Sequence, residues 1–143
     1  MSHFFIIDTN VVVAGLITSQ ADSPVARILD GMLTAAFAFV VSSALLAEYR
    51  EVLLRPKLVK RHGLSESEID TLMTDLARHA IVLTPTASTP LAIAPDAGDQ
   101  FLWDLLGTRP DLLLVTGDQL LLQETAMRER VMAPLDFVTR GMH

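Results

Sequence analysis

Phe4-Phe5-Ile6-Ile7 is a run of large apolar residues that ends on a carboxylate, Asp8-Thr9-Asn10. It lacks the alternation of a half-exposed strand, so both of its faces must be covered, as in a parallel sheet flanked by helices. Such a strand cannot stand alone, and Ala36–Val41, Ile81–Leu83, Leu112–Val115 and Val131–Ala133 are its expected neighbours. Ligands in open α/β sheets bind outside the carboxyl ends of the strands, where Asp8 stands. The plain alternative is that Asp8 only caps the helix begun by Val11-Val12-Val13.

The segments between these strands carry helix signals. Ser23-Pro24 provides an N-cap and a first-turn proline for a helix to about Leu33, with Val25, Ile28, Leu29 and Met32 on its apolar face. Ser42-Ser43 caps a helix over Ala44–Leu54, whose inward face is Leu45, Leu46, Tyr49, Val52 and Leu53. Glu48 lies at the edge of that face and Glu51 points away from it. Ser65-Glu66-Ser67-Glu68 is a capping box opening a helix to about Arg78. The segment Thr84–Pro95, with Pro85, Pro90 and Pro95, reads as an extended connection. Asp96-Ala97-Gly98-Asp99 then opens a helix with Phe101, Leu102, Leu105 and Leu106 inward. The alternation of strand and helix implies right-handed parallel crossovers within one domain spanning residues 1–143.

Composition narrows the setting. Mean hydropathy is +0.40, high enough to raise the question of a membrane span. The uncharged stretch Gly31–Ala47 is only marginally long enough, and Ser42-Ser43 divides it into strand and helix. No basic region precedes an apolar leader, so a cytoplasmic protein is expected. The absence of cysteine excludes disulfides, thiolate catalysis and Cys-ligated metals. A net charge of −6 argues against binding nucleic acid through overall charge. It leaves open a nuclease whose carboxylates are neutralised by bound cations. The basic cluster, Arg55–Gly63, is either a phosphate-binding patch or a solvated helix face.

Each acid has a structural explanation when taken singly. Together, Asp8, Asp99 and Asp118 fall at junctions with helices, Asp118 following Leu112–Val115 through Thr116-Gly117, and Glu48 borders an inward face. Convergent carboxylates raise one another's pKa unless a cation offsets the repulsion. All-oxygen donors without Cys or clustered His select Mg²⁺ or Mn²⁺ over zinc. Metal-assisted phosphodiester hydrolysis is the leading reaction class.

Asp8-Thr9-Asn10 after an apolar strand, Ser42–Glu48 with Arg55-Pro56-Lys57 behind it, Asp96–Phe101 and Thr116-Gly117-Asp118 together resemble the PIN-domain ribonucleases. The nearest subgroup is the toxin component of bacterial toxin-antitoxin pairs. The resemblance implies a three-layer α/β/α fold with a central parallel sheet and an Mg²⁺- or Mn²⁺-dependent endoribonuclease acting on single-stranded RNA. It implies that Asp8, Glu48, Asp99 and Asp118 hold the metal, that Thr116 supplies a hydroxyl beside them and that Asn10 orients Asp8. Water attack on phosphorus would leave a 5′-phosphate and a 3′-hydroxyl. A homodimer and a protein antitoxin inserting into the acidic groove are the implied partners.

The chain departs from that subgroup at two places. Its acidic run before the third motif is sparse, which leaves the choice between Asp96 and Asp99 open, with Asp99 preferred beside the helix's apolar face. Leu120 stands where many relatives carry a further Asp, which favours a single metal. A phosphoacceptor receiver domain is disfavoured because no lysine follows Lys60, and neither a P-loop nor a dinucleotide fingerprint is present. The remaining alternative is a catalytically silent PIN-like binding or scaffold domain.

Overall fold

The structure is a computed structural model that describes residues 3–85, 94, 97–124 and 129–140. β1 (Phe4–Ile7) lies parallel to β4 (Leu112–Val115), with Ile7 opposite Val115, and β4 lies parallel to β5 (Val131–Met132). β2 (Val40–Val41) pairs in parallel with β3 (Ile81–Val82). A parallel bridge between Phe5 and Phe39 joins the two ladders, so the strands run in the order β3-β2-β1-β4-β5. Phe5, Ile6 and Ile7 are all buried, as a centrally placed β1 requires.

α1 (Thr9–Ile17) and α2 (Pro24–Leu33) connect β1 to β2, and α3 (Ser43–Leu53), α4 (Pro56–His62) and α5 (Glu66–His79) connect β2 to β3. The chain then returns past β1, through a 3₁₀ turn (Ala97–Asp99) and α6 (Gln100–Leu106), to reach β4. α7 (Gln119–Leu122) leads to β5, and α8 (Pro134–Arg140) follows it. Steps to β2 and β3 go one way across the sheet, and steps to β4 and β5 go the other. With right-handed crossovers, that reversal puts helices on both faces, giving the expected α/β/α fold with a central parallel sheet.

Local signals explain most boundaries. The side chains of Ser23 and Ser42 accept the backbone N–H groups of Ala26 and Leu45, capping α2 and α3. Ser65 and Glu68 form the reciprocal capping box at α5. Gly63 ends α4 in the left-handed conformation, at φ 70°. In α1, a Cβ on Gly15 would stand 2.6 Å from the Val25 carbonyl oxygen and 3.0 Å from Leu29 Cβ, so glycine there allows α1 and α2 to touch backbone to backbone.

One strand is shorter than its apolar run suggests. Residues 36–38 lie outside β2, because α2 closes in a Schellman turn in which the Ala36 N–H donates to the Gly31 carbonyl at 2.8 Å. Ala35 takes the left-handed position in that turn, at φ 57°. Phe37 packs edge-on against Phe5 and against Phe137 of α8 instead of joining a ladder. Most of the proline-rich segment after Thr84, and Asp96 with it, lies outside the described residues.

Candidate active site

The strand order reverses between β1 and β4, which opens a crevice at their shared carboxyl edge. Registration of Ile7 with Val115 ends both strands at one level, and the Asp8 N–H extends the ladder to the Val115 carbonyl at 2.9 Å. Asp8 and Thr116 therefore become neighbours although they are far apart in the chain. Both are buried.

Asp8 is held by both of its oxygens. Oδ1 accepts the Thr9 N–H at 2.7 Å. Oδ2 accepts the Thr116 hydroxyl at 2.7 Å and the Asn10 amide at 3.2 Å. Asn10 Oδ1 in turn accepts the Gly117 N–H at 2.9 Å, tying the first turn of α1 to the loop after β4. The Thr116 oxygen also receives the Asp118 N–H at 3.0 Å. Asp8 thus caps α1, as the plain reading allows, and is also fixed by groups that helix capping does not require.

The other acids reach the same groove from different elements. Glu48, on α3, accepts the Thr9 hydroxyl at 2.6 Å. The next residue, Tyr49, is fully buried, and its hydroxyl donates to the Ile7 carbonyl, anchoring α3 to the end of β1. Asp118 caps α7 by accepting the Leu120 N–H at 2.9 Å. Asp99 is the N-cap residue of α6, but its side chain makes no capping bond there. Asp8, Glu48, Asp99 and Asp118 together line one groove of about 660 Å³.

Burial pushes the Asp8 carboxyl up to about 6, against the lowering effects of the Thr116 hydroxyl and the Thr9 N–H, and the charges of Asp99 and Glu48 raise it further. The Tyr49 phenol is pushed well above its ordinary range by burial and then by Asp8 and Glu48. A divalent cation would relieve the repulsion at Asp8, and the oxygen-only donors suit Mg²⁺ or Mn²⁺. Among the described residues, no three His, Cys, Asp or Glu side chains already stand together as a metal-holding set.

A family model described as PIN domain matches residues 5–120, a span that takes in all four of these acids. The chain belongs to the PIN-domain family. No curated protein matches it. Membership gives this PIN domain a nuclease-type fold. Among the described residues, no helix is long and apolar enough to cross a membrane.

Sequence reasoning missed several residues at this PIN-domain groove. Thr9 was treated only as part of the run after β1, yet it bonds Glu48 through its side chain and Asp8 through its backbone. The basic cluster divides: Arg55 and Arg61 line the groove, whereas Lys57 and Lys60 do not. Helical spacing carried part of that signal, since Glu48 and Val52 share a stripe of α3 and Leu58 and Arg61 one of α4, while Arg55 is placed by the junction between them.

Proposed function

We propose that this PIN domain is a metal-dependent endoribonuclease that hydrolyses RNA phosphodiester bonds. The observation that carries this reading is a buried Asp8, held at about 6 beside Asp99 and Glu48, where strand order reverses at the head of an open groove. A bound Mg²⁺ or Mn²⁺ would supply Lewis-acid activation of water and neutralise charge on the phosphoryl group.

The chain's own residues prepare for that chemistry. Thr116, Asn10 and the Thr9 N–H fix the direction of the Asp8 carboxylate and use three of its roughly four lone-pair positions. That leaves capacity facing the groove. Asp8, Glu48, Asp99 and Asp118 are the ligands in this reading, and one cation is the expected occupancy. Asn10 and Thr116 position Asp8 and take no proton from substrate.

The motif pattern of Ser42–Glu48 followed by Arg55-Pro56-Lys57 supports a further step, that the protein is the toxin of a toxin-antitoxin pair. In that role it works in the cytoplasm as a homodimer restrained by a protein antitoxin.

The test is cleavage of end-labelled structured and unstructured RNAs with Mn²⁺ or Mg²⁺, with EDTA, and with the Asp8→Asn protein. Cutting that vanishes in both controls, with a 5′-phosphate on the product, supports the proposal. Folded protein that cuts no RNA in either metal points instead to a catalytically silent binding domain.

A further inference from the structure

The groove does not stop at the acids. α1 contributes Asn10, Val13, Ala14 and Ile17, a single stripe at helical spacing, α3 contributes Glu48 and Val52 in the same way, and Arg55 joins them from the junction between α3 and α4. The two helices pack together, and the Thr9–Glu48 bond sets their relative level near the start of α1. Each stripe therefore leads away from the carboxylates. At a rise of 1.5 Å per residue, the end of α3 at Leu53 lies roughly 7.5 Å along its axis from Glu48, and Arg55 follows at the junction with α4.

α4 brings Arg61 and Leu58 to the same groove. Its position is fixed by His62, whose Nε2 lies 2.8 Å from the Leu53 carbonyl at the end of α3 while Nδ1 accepts the Leu64 N–H at 2.9 Å. The Arg61 side chain has no ion-pair or hydrogen-bond partner among the described residues. Arg55 has only an exposed contact with Glu51 at 3.4 Å, an arrangement that is weak in water. Two arginines thus line the groove together with the apolar residues Val13, Ile17, Val25 and Leu58, in a protein whose net charge is −6.

We infer that Arg55 and Arg61 form a phosphate-anchoring subsite for single-stranded RNA, a nucleotide or two from the phosphate held at the acids. This inference rests on the nuclease reading. The planar guanidinium group suits phosphate oxygens, and the two arginines counter the repulsion that the carboxylates exert on an incoming polyanion. The lining has no aromatic side chain, so bases contact it without stacking and the subsite grips the backbone without reading sequence. An apolar protein segment would leave the charge of Arg61 unmatched.

The subsite is tested with Arg55→Gln, Arg61→Gln and Arg61→Lys, after thermal melts confirm that each is folded. Cleavage of an unstructured RNA in Mn²⁺ gives kcat and KM. Anisotropy of the same labelled RNA in an Asp8→Asn background gives affinity as a function of salt. Each glutamine variant should raise KM about fivefold or more with little change in kcat, and reduce the slope of log affinity against log salt by about 0.7 for the lost phosphate contact. Arg61→Lys should retain the slope and lose only part of the affinity. Parent-like KM and slope in both glutamine variants would overturn the subsite and leave the arginines to a protein segment. A fall in kcat alone would also overturn it. A parent protein that neither binds nor cuts RNA would overturn the nuclease reading as well.

Discussion

The Thr116 hydroxyl donates to Asp8 Oδ2 at 2.7 Å across the carboxyl ends of two adjacent parallel strands. This bond favours the charged form of a carboxyl group that burial pushes toward neutrality. Thr116→Val keeps the shape and removes the donor, so the Asp8 pKa should rise above about 6. The acid limb of the pH–rate profile in Mn²⁺ should then move to higher pH, and a shift of about one unit would lower activity roughly fivefold at pH 6 and roughly twofold at pH 7. An unchanged limb would show that the hydroxyl does not tune Asp8.

Metal-free stability should depend on pH in an unusual direction. Folded Asp8 takes up its proton near pH 6, while the unfolded chain does so near 3.8. Between those values the folded state binds more protons, so this group lowers stability as pH rises, by roughly 3 kcal/mol in full. Urea unfolding in EDTA should reveal the loss between pH 4 and pH 6 when the parent is compared with Asp8→Asn, whose curve should lack it. Mn²⁺ should stabilise the parent more at pH 7 than at pH 5.

Ala35 closes the α2 turn at φ 57°, a conformation that costs a side chain roughly 1 kcal/mol or more. Ala35→Gly should raise the free energy of unfolding by about 1 kcal/mol, less the extra entropy glycine gives the unfolded chain. Equilibrium denaturation decides this, and a destabilised variant would mean that the Ala35 side chain makes packing contacts that outweigh the strain.

The elements that were legible in advance carry complete local signals. β1 and β4 are continuous apolar runs that end on Asp8 and on Thr116-Gly117-Asp118, and Ser23-Pro24, Ser42 and Ser65–Glu68 announce their helices. β2 was overextended because nothing in Ala35-Ala36 advertises a left-handed turn, for which glycine is the usual sign. Glu48 could be placed at the edge of α3 by periodicity, but its bond to Thr9 depends on how α1 and α3 dock. Likewise, Arg55 and Arg61 separate from Lys57 and Lys60 only after α4 folds back against α1 and α3.

Arg130, just before β5, reaches back to the carbonyls of Leu106, Arg109 and Leu112 at 2.6–3.1 Å. It ties the end of α6 to the start of β4, the strand that delivers Thr116 and Asp118. Arg130→Met should keep some packing while leaving these carbonyls without their donor, at a cost of about 2 kcal/mol. Chemical denaturation measures that loss, and a change below about 0.5 kcal/mol would show that water replaces the guanidinium group without penalty.

Asp8 and Asn10 precede their partners Thr116 and Gly117 by 108 and 107 residues of chain. A nascent chain halted after α5 already has Asp8, Glu48 and both groove arginines, yet it lacks β4, the strand that carries Thr116 to the edge beside β1. The long-range pairing of β1 with β4 must therefore wait until the chain through Val115 has left the ribosome. Assembly of the acidic edge is thus kept by topology alone from any nascent chain that ends before β4.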